Sequence, residues 1–149
     1  MVEIRLSNVA EMLEHSEQLF QEHYDEIALN KTLMVLKPDT EKYYSMEERN
    51  GLLVLSAWEG EELIGYSVNF LINHLHYADL NLCSNDLLFV KKEYRSSKTG
   101  LKLMRETEKR AKELGATLML WHAKPDTALN ALMPRLGYKV QDIIYSKEI

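Results

Sequence analysis

The sequence predicts a mixed α/β (α+β) fold: a mostly antiparallel sheet with one parallel strand pair and helices on both faces. Three observations support this prediction. Apolar residues recur at helical spacing near the N-terminus, residues 52–90 read as successive strands, and a strand–helix–strand succession ends near residue 121. The predicted order of elements is βααβββαβαβ.

The first half of the chain is predicted to hold a short strand, two helices and two strands. The strand spans Glu3–Leu6, and Ser7 or Asn8 then caps a helix. Its apolar positions continue to Ile27: Val9, Met12, Leu13, Leu19, Phe20, Tyr24 and Ile27. A second helix runs from Asp39 to about Asn50. Next come strand 52–58, a hairpin turn at 59–61 and strand 64–72. Apolar and polar residues alternate along the second strand, which predicts that one of its faces is buried.

A third strand, Ala78–Val90, is expected to place Asp86 on the same face as Leu82, Leu88 and Val90. After a loop at 91–98, a helix spans Thr99 to Leu114 and ends at Gly115. The apolar run 117–121 is predicted to be a parallel strand covered on both faces. Asp126 is expected to cap a last helix reaching Leu136, and Tyr138–Ile149 to form the closing strand.

Length and composition limit the class of protein. The chain has 149 residues, 46% hydrophobic and 28% charged, which is typical of one globular domain spanning 1–149. Its single cysteine, Cys83, excludes an internal disulfide and a cysteine-based zinc site. No apolar run approaches the roughly 18 residues that span a bilayer. The first residues lack the pattern of a signal peptide, so we expect a cytoplasmic protein without a membrane partner.

The charge balance favours a cationic partner. Eighteen basic residues face 23 acidic ones, a net charge of −5. An acidic surface repels phosphate backbones, so no nucleic-acid partner is expected, whereas a small cation or a basic peptide is attracted.

The loop between the third strand and the following helix has the composition of an anion site. Free N–H groups and the positive end of the helix dipole favour a phosphate there. Arg95 and Lys98 add charge, hydroxyls come from three neighbours, and Gly100 permits close backbone approach. Those neighbours are Ser96, Ser97 and Thr99. A pyrophosphate matches this pattern, but the segment alone favours a plain polar loop with a capping side chain.

Three motifs stand in order along the chain, at residues 87–95, 95–101 and 132–138. Together with the order of elements, they resemble the GNAT superfamily of acyl-CoA-dependent N-acetyltransferases over essentially the whole chain. Residues 87–95 (LLFVKKEYR) resemble the family's fourth strand entering its cofactor loop. Residues 95–101 (RSSKTGL) stand where the family has Arg/Gln-x-x-Gly-x-Gly/Ala. Residues 132–138 (LMPRLGY) resemble its closing helix and Leu-Gly-Phe/Tyr end. Lys98 replaces the first glycine of the loop, and Met133 replaces the tyrosine that usually protonates the departing thiolate.

The resemblance implies acetyl-CoA as cofactor, with its pantetheine arm along the strand that ends at Val90 and in a gap before strand 117–121. Backbone N–H groups near Phe89 would polarise the thioester carbonyl. The implied cofactor-binding residues are Leu88, Phe89, Val90, Arg95, Ser96, Ser97, Lys98, Thr99, Gly100 and Leu101.

The acceptor amine must be neutral to attack the thioester, so a base has to take a proton from its ammonium form. Asp86 is the first candidate, because a carboxylate among apolar neighbours has a raised pKa. His122 is the second candidate, and for both an ordinary structural role is the alternative. Tyr138 and Tyr145 are considered as substitute acids. The His74-x-His76 pair has no evident third ligand, so no metal site is predicted.

The predicted activity is transfer of an acetyl group from acetyl-CoA to a primary amine of a small cationic molecule by direct attack. Two alternatives stay open: acetylation of a peptide or protein, and an acyl-CoA-binding module without turnover. A homodimer is possible. The acceptor contacts are expected within residues 21–50, and no sequence pattern in this segment identifies the substrate.

Overall fold

The computed structural model describes all 149 residues and contains one five-stranded sheet. The strands lie in the order β1-β2-β3-β4-β5, and only β4 and β5 are parallel. Their bounds are Val2–Ser7 (β1), Leu52–Glu59 (β2), Glu62–Asn73 (β3), Asn81–Val90 (β4) and Leu118–Leu120 (β5). The mixed sheet with one parallel pair is therefore confirmed.

Helices cover both faces of the sheet, as predicted. Met12 and Leu19 join a core cluster with Tyr66 and Phe89 on one face, while Leu103 packs in a second cluster on the other. The helices are Val9–His15 (α1), Glu17–Ile27 (α2), Thr40–Glu48 (α3), Thr99–Glu113 (α4) and Ala128–Leu132 (α5). All of them are too short or too polar to cross a membrane.

The predicted continuous helix from Val9 to Ile27 is wrong, because it breaks into α1 and α2 at Ser16. Ser16 is buried and has a ψ of −4°, outside regular helical geometry. Residues 14–18 (EHSEQ) include no apolar side chain, so the stripe that would hold one straight helix on the sheet is interrupted here.

Strand β3 is buried on both faces, and not on one as predicted. The small polar side chains of its second face lie under α4, where Thr107 donates a hydrogen bond to Ser67 over 3.0 Å. Ile64 also leaves the predicted face. The register shifts beside Trp58, and Ile64 packs with Leu103 of α4 while Tyr66 belongs to the opposite cluster.

A bulge in β4 corrects the predicted position of Asp86. Val68 of β3 faces Leu87 and Asn69 faces Asn85, so Asp86 is the extra residue. Leu88 and Val90 pack in the cluster of α4, whereas Asp86 hydrogen-bonds to a side chain of α3 on the other face. Asp86 thus does not share a face with Leu88 and Val90.

The C-terminal part departs most from the prediction. Strand β5 is an edge strand with Leu118 exposed, so the expected cover on both faces is wrong. Thr127, rather than Asp126, caps the last helix, which ends at Leu132 and continues as a 3₁₀ turn around Pro134. Residues 138–149 form no strand, because no neighbouring strand pairs with their backbone, and their apolar side chains are largely exposed.

Candidate active site

Strand β4 has an open backbone edge toward the C-terminal side of the sheet. The pairing with β5 joins Leu82–Ser84 to Leu118–Leu120 and then stops. Residues 85–90 continue alone on that side, paired only with β3. An unpaired edge offers N–H and C=O groups to an extended ligand, which can bind as an added strand.

At the end of this edge only the backbone is available, because the side chains of the last two residues are buried. Phe89 and Val90 are each 6% exposed, on opposite faces of the sheet. Leu88 packs against the cluster of α4. The predicted contacts of Phe89 and Val90 with a cofactor are therefore limited to main-chain groups, whereas Leu88 is only half-buried.

Beyond Val90, the chain leads to the uncapped N-terminus of α4. Lys102 is the residue whose N–H bonds back to Lys98, so the N–H groups of Thr99, Gly100 and Leu101 have no carbonyl within the helix. No side chain caps this helix, and its first turn has no acidic residue. Helices α1, α2 and α3 each have one there. The end of α4 is thus open to an external anion.

The hydroxyl groups of the loop divide into two kinds. Ser97 donates to the Tyr94 carbonyl over 2.6 Å, and its oxygen lies 2.6 Å from the hydroxyl of buried Thr99. These two hydroxyls are engaged within the protein. Ser96 and Lys98 are exposed at the helix end and can reach a ligand.

Lys98 adopts a left-handed backbone conformation with a φ of 63°, at the position where the resemblance expects glycine. Such a conformation costs about 1–2 kcal/mol for a residue with a Cβ. We expect Lys98→Gly to raise the free energy of unfolding by about 0.5–1 kcal/mol after the greater chain entropy of glycine is subtracted. Denaturant titration measures this.

The matched control is Lys102→Gly, which removes the same side chain within the helix. It should lower the free energy of unfolding by about 1 kcal/mol, because glycine there only reduces helix propensity. Equal destabilisation by both substitutions would contradict the strain at Lys98.

Asp86 lies against α3, where the Tyr43 hydroxyl donates to its Oδ2 over 3.2 Å. Asp86 stays partly exposed to solvent, and its partial desolvation raises the pKa of its carboxyl, while the hydrogen bond from Tyr43 and the charge of His122 oppose that rise. Burial and the neighbouring carboxylate raise the pKa of Tyr43 to about 12, so its hydroxyl stays protonated and able to donate. The carboxylate therefore has the environment of a base that works closer to neutrality than an ordinary aspartate.

The structure brings the two predicted bases to the same region. His122 follows β5, and its Nε2 lies 3.2 Å from the hydroxyl of Ser84, the last residue of β4 that β5 pairs with. Ser84 and Asp86 are two residues apart on β4, next to the open edge. Sequence reasoning did not identify the bond from Tyr43 or the contact of Ser84, because neither has a local signal.

A buried aromatic group packs beneath the end of β4. His23 of α2 stacks on Phe89 with 4.6 Å between ring centroids, and its Nδ1 lies 2.7 Å from the Tyr66 hydroxyl. Burial lowers the pKa of His23 to about 4, so the ring is neutral at neutral pH. This histidine was not identified from the sequence, and it fixes α2 against the strand.

The other residues considered from the sequence have other environments. The Tyr138 hydroxyl donates to Glu108, which also accepts from Trp121, and burial raises the pKa of Tyr138. Tyr145 is 89% exposed. Burial raises the pKa of Cys83 to about 12, so its thiol is not an activated nucleophile.

Neither His74 nor His76 belongs to a group of three or more possible metal ligands. The two rings lie 6.0 Å apart in the exposed turn before β4. This turn therefore has no donor set for a metal ion.

The sequence profile described as the Acetyltransferase (GNAT) family matches residues 11–138. Similar solved structures include an aminoglycoside acetyltransferase from an uncultured soil metagenomic sample (16% identity, 100% of this chain and 99% of that one covered, TM-score 0.78). Others are a ribosomal-protein-alanine N-acetyltransferase from Brucella melitensis biovar Abortus 2308 (14%, 100% and 99%, 0.73) and a glucosamine-6-phosphate N-acetyltransferase from Arabidopsis thaliana (11%, 99% and 98%, 0.70). No curated protein sequence matches the chain.

Proposed function

Because the chain belongs to the GNAT acetyltransferase family, we propose that it moves an acetyl group from acetyl-CoA to a primary amine of a small cationic molecule. The observation that supports this most is the continuity of the open β4 edge with the uncapped N-terminus of α4. An extended arm would bind along the open edge of β4, and a diphosphate that follows it would bind at the N-terminus of α4. We take residues 1–149 to act as one catalytic domain.

The residues present fit acetyl-CoA, which supplies the thioester when bound. The N–H groups of Thr99, Gly100 and Leu101 would hold the diphosphate, with Lys98 and Ser96 at its exposed side. Main-chain groups of residues 85–90 would hold the pantetheine arm. An N–H near Phe89 would polarise the thioester carbonyl, a contact worth about 3–4 kcal/mol in favourable enzymes.

Asp86 would take the proton from the acceptor's ammonium group, directly or through a water molecule, and leave the amine free to attack. Its bulge position turns the carboxylate away from the α4 face and toward Tyr43. His122 is the second candidate for this step. As the carbon–nitrogen bond forms, the carbon–sulfur bond breaks and CoA leaves as the thiolate. The second proton of the attacking amine would reach the thiolate through water, because the Tyr138 hydroxyl is bonded to Glu108.

The charges of the chain and of the site favour a cationic acceptor. The named neighbours act on an aminoglycoside, a ribosomal protein and a sugar phosphate, so the shared fold does not select a substrate. The net charge of −5 and a carboxylate at the site favour a cation. Acetylation of a peptide or protein is the first alternative. The second is an acyl-CoA-binding module without turnover, and the observation in its favour is Met133 in place of the usual tyrosine.

A thiol-release assay with a panel of amines tests this function. The panel contains diamines, aminoglycosides, amino acids and basic peptides, and acetyl-CoA-dependent thermal stabilisation is measured in parallel. We expect stabilisation together with thiol release for at least one cationic amine. Stabilisation without thiol release from any amine would favour the binding module, and release with basic peptides alone would favour the peptide acceptor. The homodimer and the cytoplasmic location stay predictions, and sedimentation velocity tests the first.

A further inference from the structure

The side chain of Arg95 joins two parts of the fold that are 69 residues apart in the sequence. Its Nε donates to the Val90 carbonyl over 2.8 Å. Its two terminal nitrogens donate to the two carboxylate oxygens of Glu26 over 2.7 and 2.6 Å. This bidentate arrangement is the strongest form of an arginine–carboxylate pair. Both ends of the guanidinium fork are thus engaged within the protein.

Glu26 belongs to the last turn of α2, three residues after His23 and on the same side of the helix. His23 stacks on Phe89, and the guanidinium of Arg95 lies 5.3 Å from the same ring. Two contacts therefore fasten α2 to the end of β4. The hydrogen bond from Arg95 also holds the Glu26 pKa below its ordinary value, so the pair stays ionised at neutral pH.

We infer that Glu26 is a positioning residue for the acyl-CoA site, because it holds Arg95 and so fixes the loop that presents the N–H groups of α4. The loop runs from Lys91 to Lys98 and contains a 3₁₀ helix over Lys92–Ser97. Within it, Arg95 bonds back to the Val90 carbonyl at the end of β4. This inference rests on the proposed acyl-CoA site. It gives Arg95 a different task from the direct phosphate contact predicted from the sequence.

The two tasks of Arg95 predict effects of opposite sign. If Arg95 binds the diphosphate directly, neutralising Glu26 frees the guanidinium and removes a negative charge near an anion, so affinity for CoA rises. If Glu26 positions the loop, the same change loosens the loop and affinity falls. Glu26→Gln separates them because it keeps the size of the side chain and removes only its charge.

For Glu26→Gln, calorimetry with CoA should show affinity weaker by about three- to tenfold, because the ion pair that is lost is bidentate but partly exposed to solvent. The KM for acetyl-CoA should rise in parallel while kcat stays within about twofold, because the chemical step does not use Glu26. Asp25→Asn, an equal charge change at the adjacent exposed position, is the matched control and should leave both quantities unchanged.

Amide hydrogen exchange without any ligand gives a second measurement. In Glu26→Gln, the amides of residues 92–98 should exchange about tenfold faster than in the wild type and in Asp25→Asn. The double reversal Glu26→Arg with Arg95→Glu should restore part of the slow exchange, because it keeps an ion pair between α2 and the loop but loses the hydrogen bond to the Val90 carbonyl. If Glu26→Gln fails to fold, this double variant measured against Arg95→Glu alone decides the question.

Equal or tighter CoA binding by Glu26→Gln, with unchanged exchange in the loop, overturns the inference. Absence of CoA binding by the wild type overturns the proposed function instead. In that case the exchange measurement still decides whether Glu26 holds the loop.

Discussion

Replacing Gly100 by glutamate is expected to abolish CoA binding while leaving the protein at least as stable as the wild type. A Cβ at this position would meet only the Val90 side chain, at an ordinary 3.8 Å. Glutamate improves helix propensity by about 1 kcal/mol over glycine, and a negative charge in the first turn adds about 0.3–1 kcal/mol. The new carboxylate would occupy the N–H groups and repel a diphosphate. We expect affinity to fall at least about 100-fold, or about 2.7 kcal/mol.

Calorimetry and thermal unfolding measure the two halves of this prediction. Gly100→Ala is the matched control, since it adds the Cβ without a charge. The GNAT loop motif also has glycine or alanine at this position. Its affinity should stay within about threefold of the wild type. Tight CoA binding by a folded Gly100→Glu variant would move the diphosphate away from α4.

Asp86→Asn is expected to lower kcat by about 10²–10⁴, the usual contribution of a general base. It should also raise the stability at neutral pH. The pKa of Asp86 is higher in the folded state than in the unfolded state. The free energy of unfolding therefore falls as the pH rises from the unfolded-state pKa to the folded-state pKa, and it stays lowered at higher pH. Asparagine removes this cost. Steady-state kinetics and denaturant titration at neutral pH measure both effects.

Two controls make this prediction specific. Asp79→Asn, the same change at an exposed turn, should leave kcat unchanged. Tyr43→Phe removes a hydrogen bond that lowers the pKa of Asp86, so the acidic limb of the pH–rate profile should move to higher pH. Full activity of Asp86→Asn with an unaltered acidic limb would exclude Asp86 as the base and leave His122 as the candidate.

Local patterns predicted much of the sheet and the positions of several helix ends and turns. The structure has the cap at Asn8, the hairpin at Gly60 and the left-handed end of α4 at Gly115, which all depend on neighbours in sequence. Asp39, predicted as the first residue of its helix, is the cap of that helix. The residue types before α4 favour an anion, but the segment alone favoured a capping side chain, and the structure has no side-chain cap there.

Long-range packing decided what the sequence could not show. The bulge at Asp86 depends on how β4 pairs with β3, and alternation read along one strand cannot detect an extra residue. The contacts of Asp86 with Tyr43 and of Arg95 with Glu26 join residues 43 and 69 positions apart. The closing strand was predicted from its apolar residues, but a strand needs a partner, and residues 138–149 have none here.

The most direct test of the acyl-CoA site is a titration of isotope-labelled protein with CoA, followed by amide chemical shifts. We expect saturable shifts that are largest at Thr99, Gly100 and Leu101 and along residues 85–90, and their loss in Gly100→Glu. Saturation with these amides unmoved, or no saturation at millimolar CoA, would contradict the account.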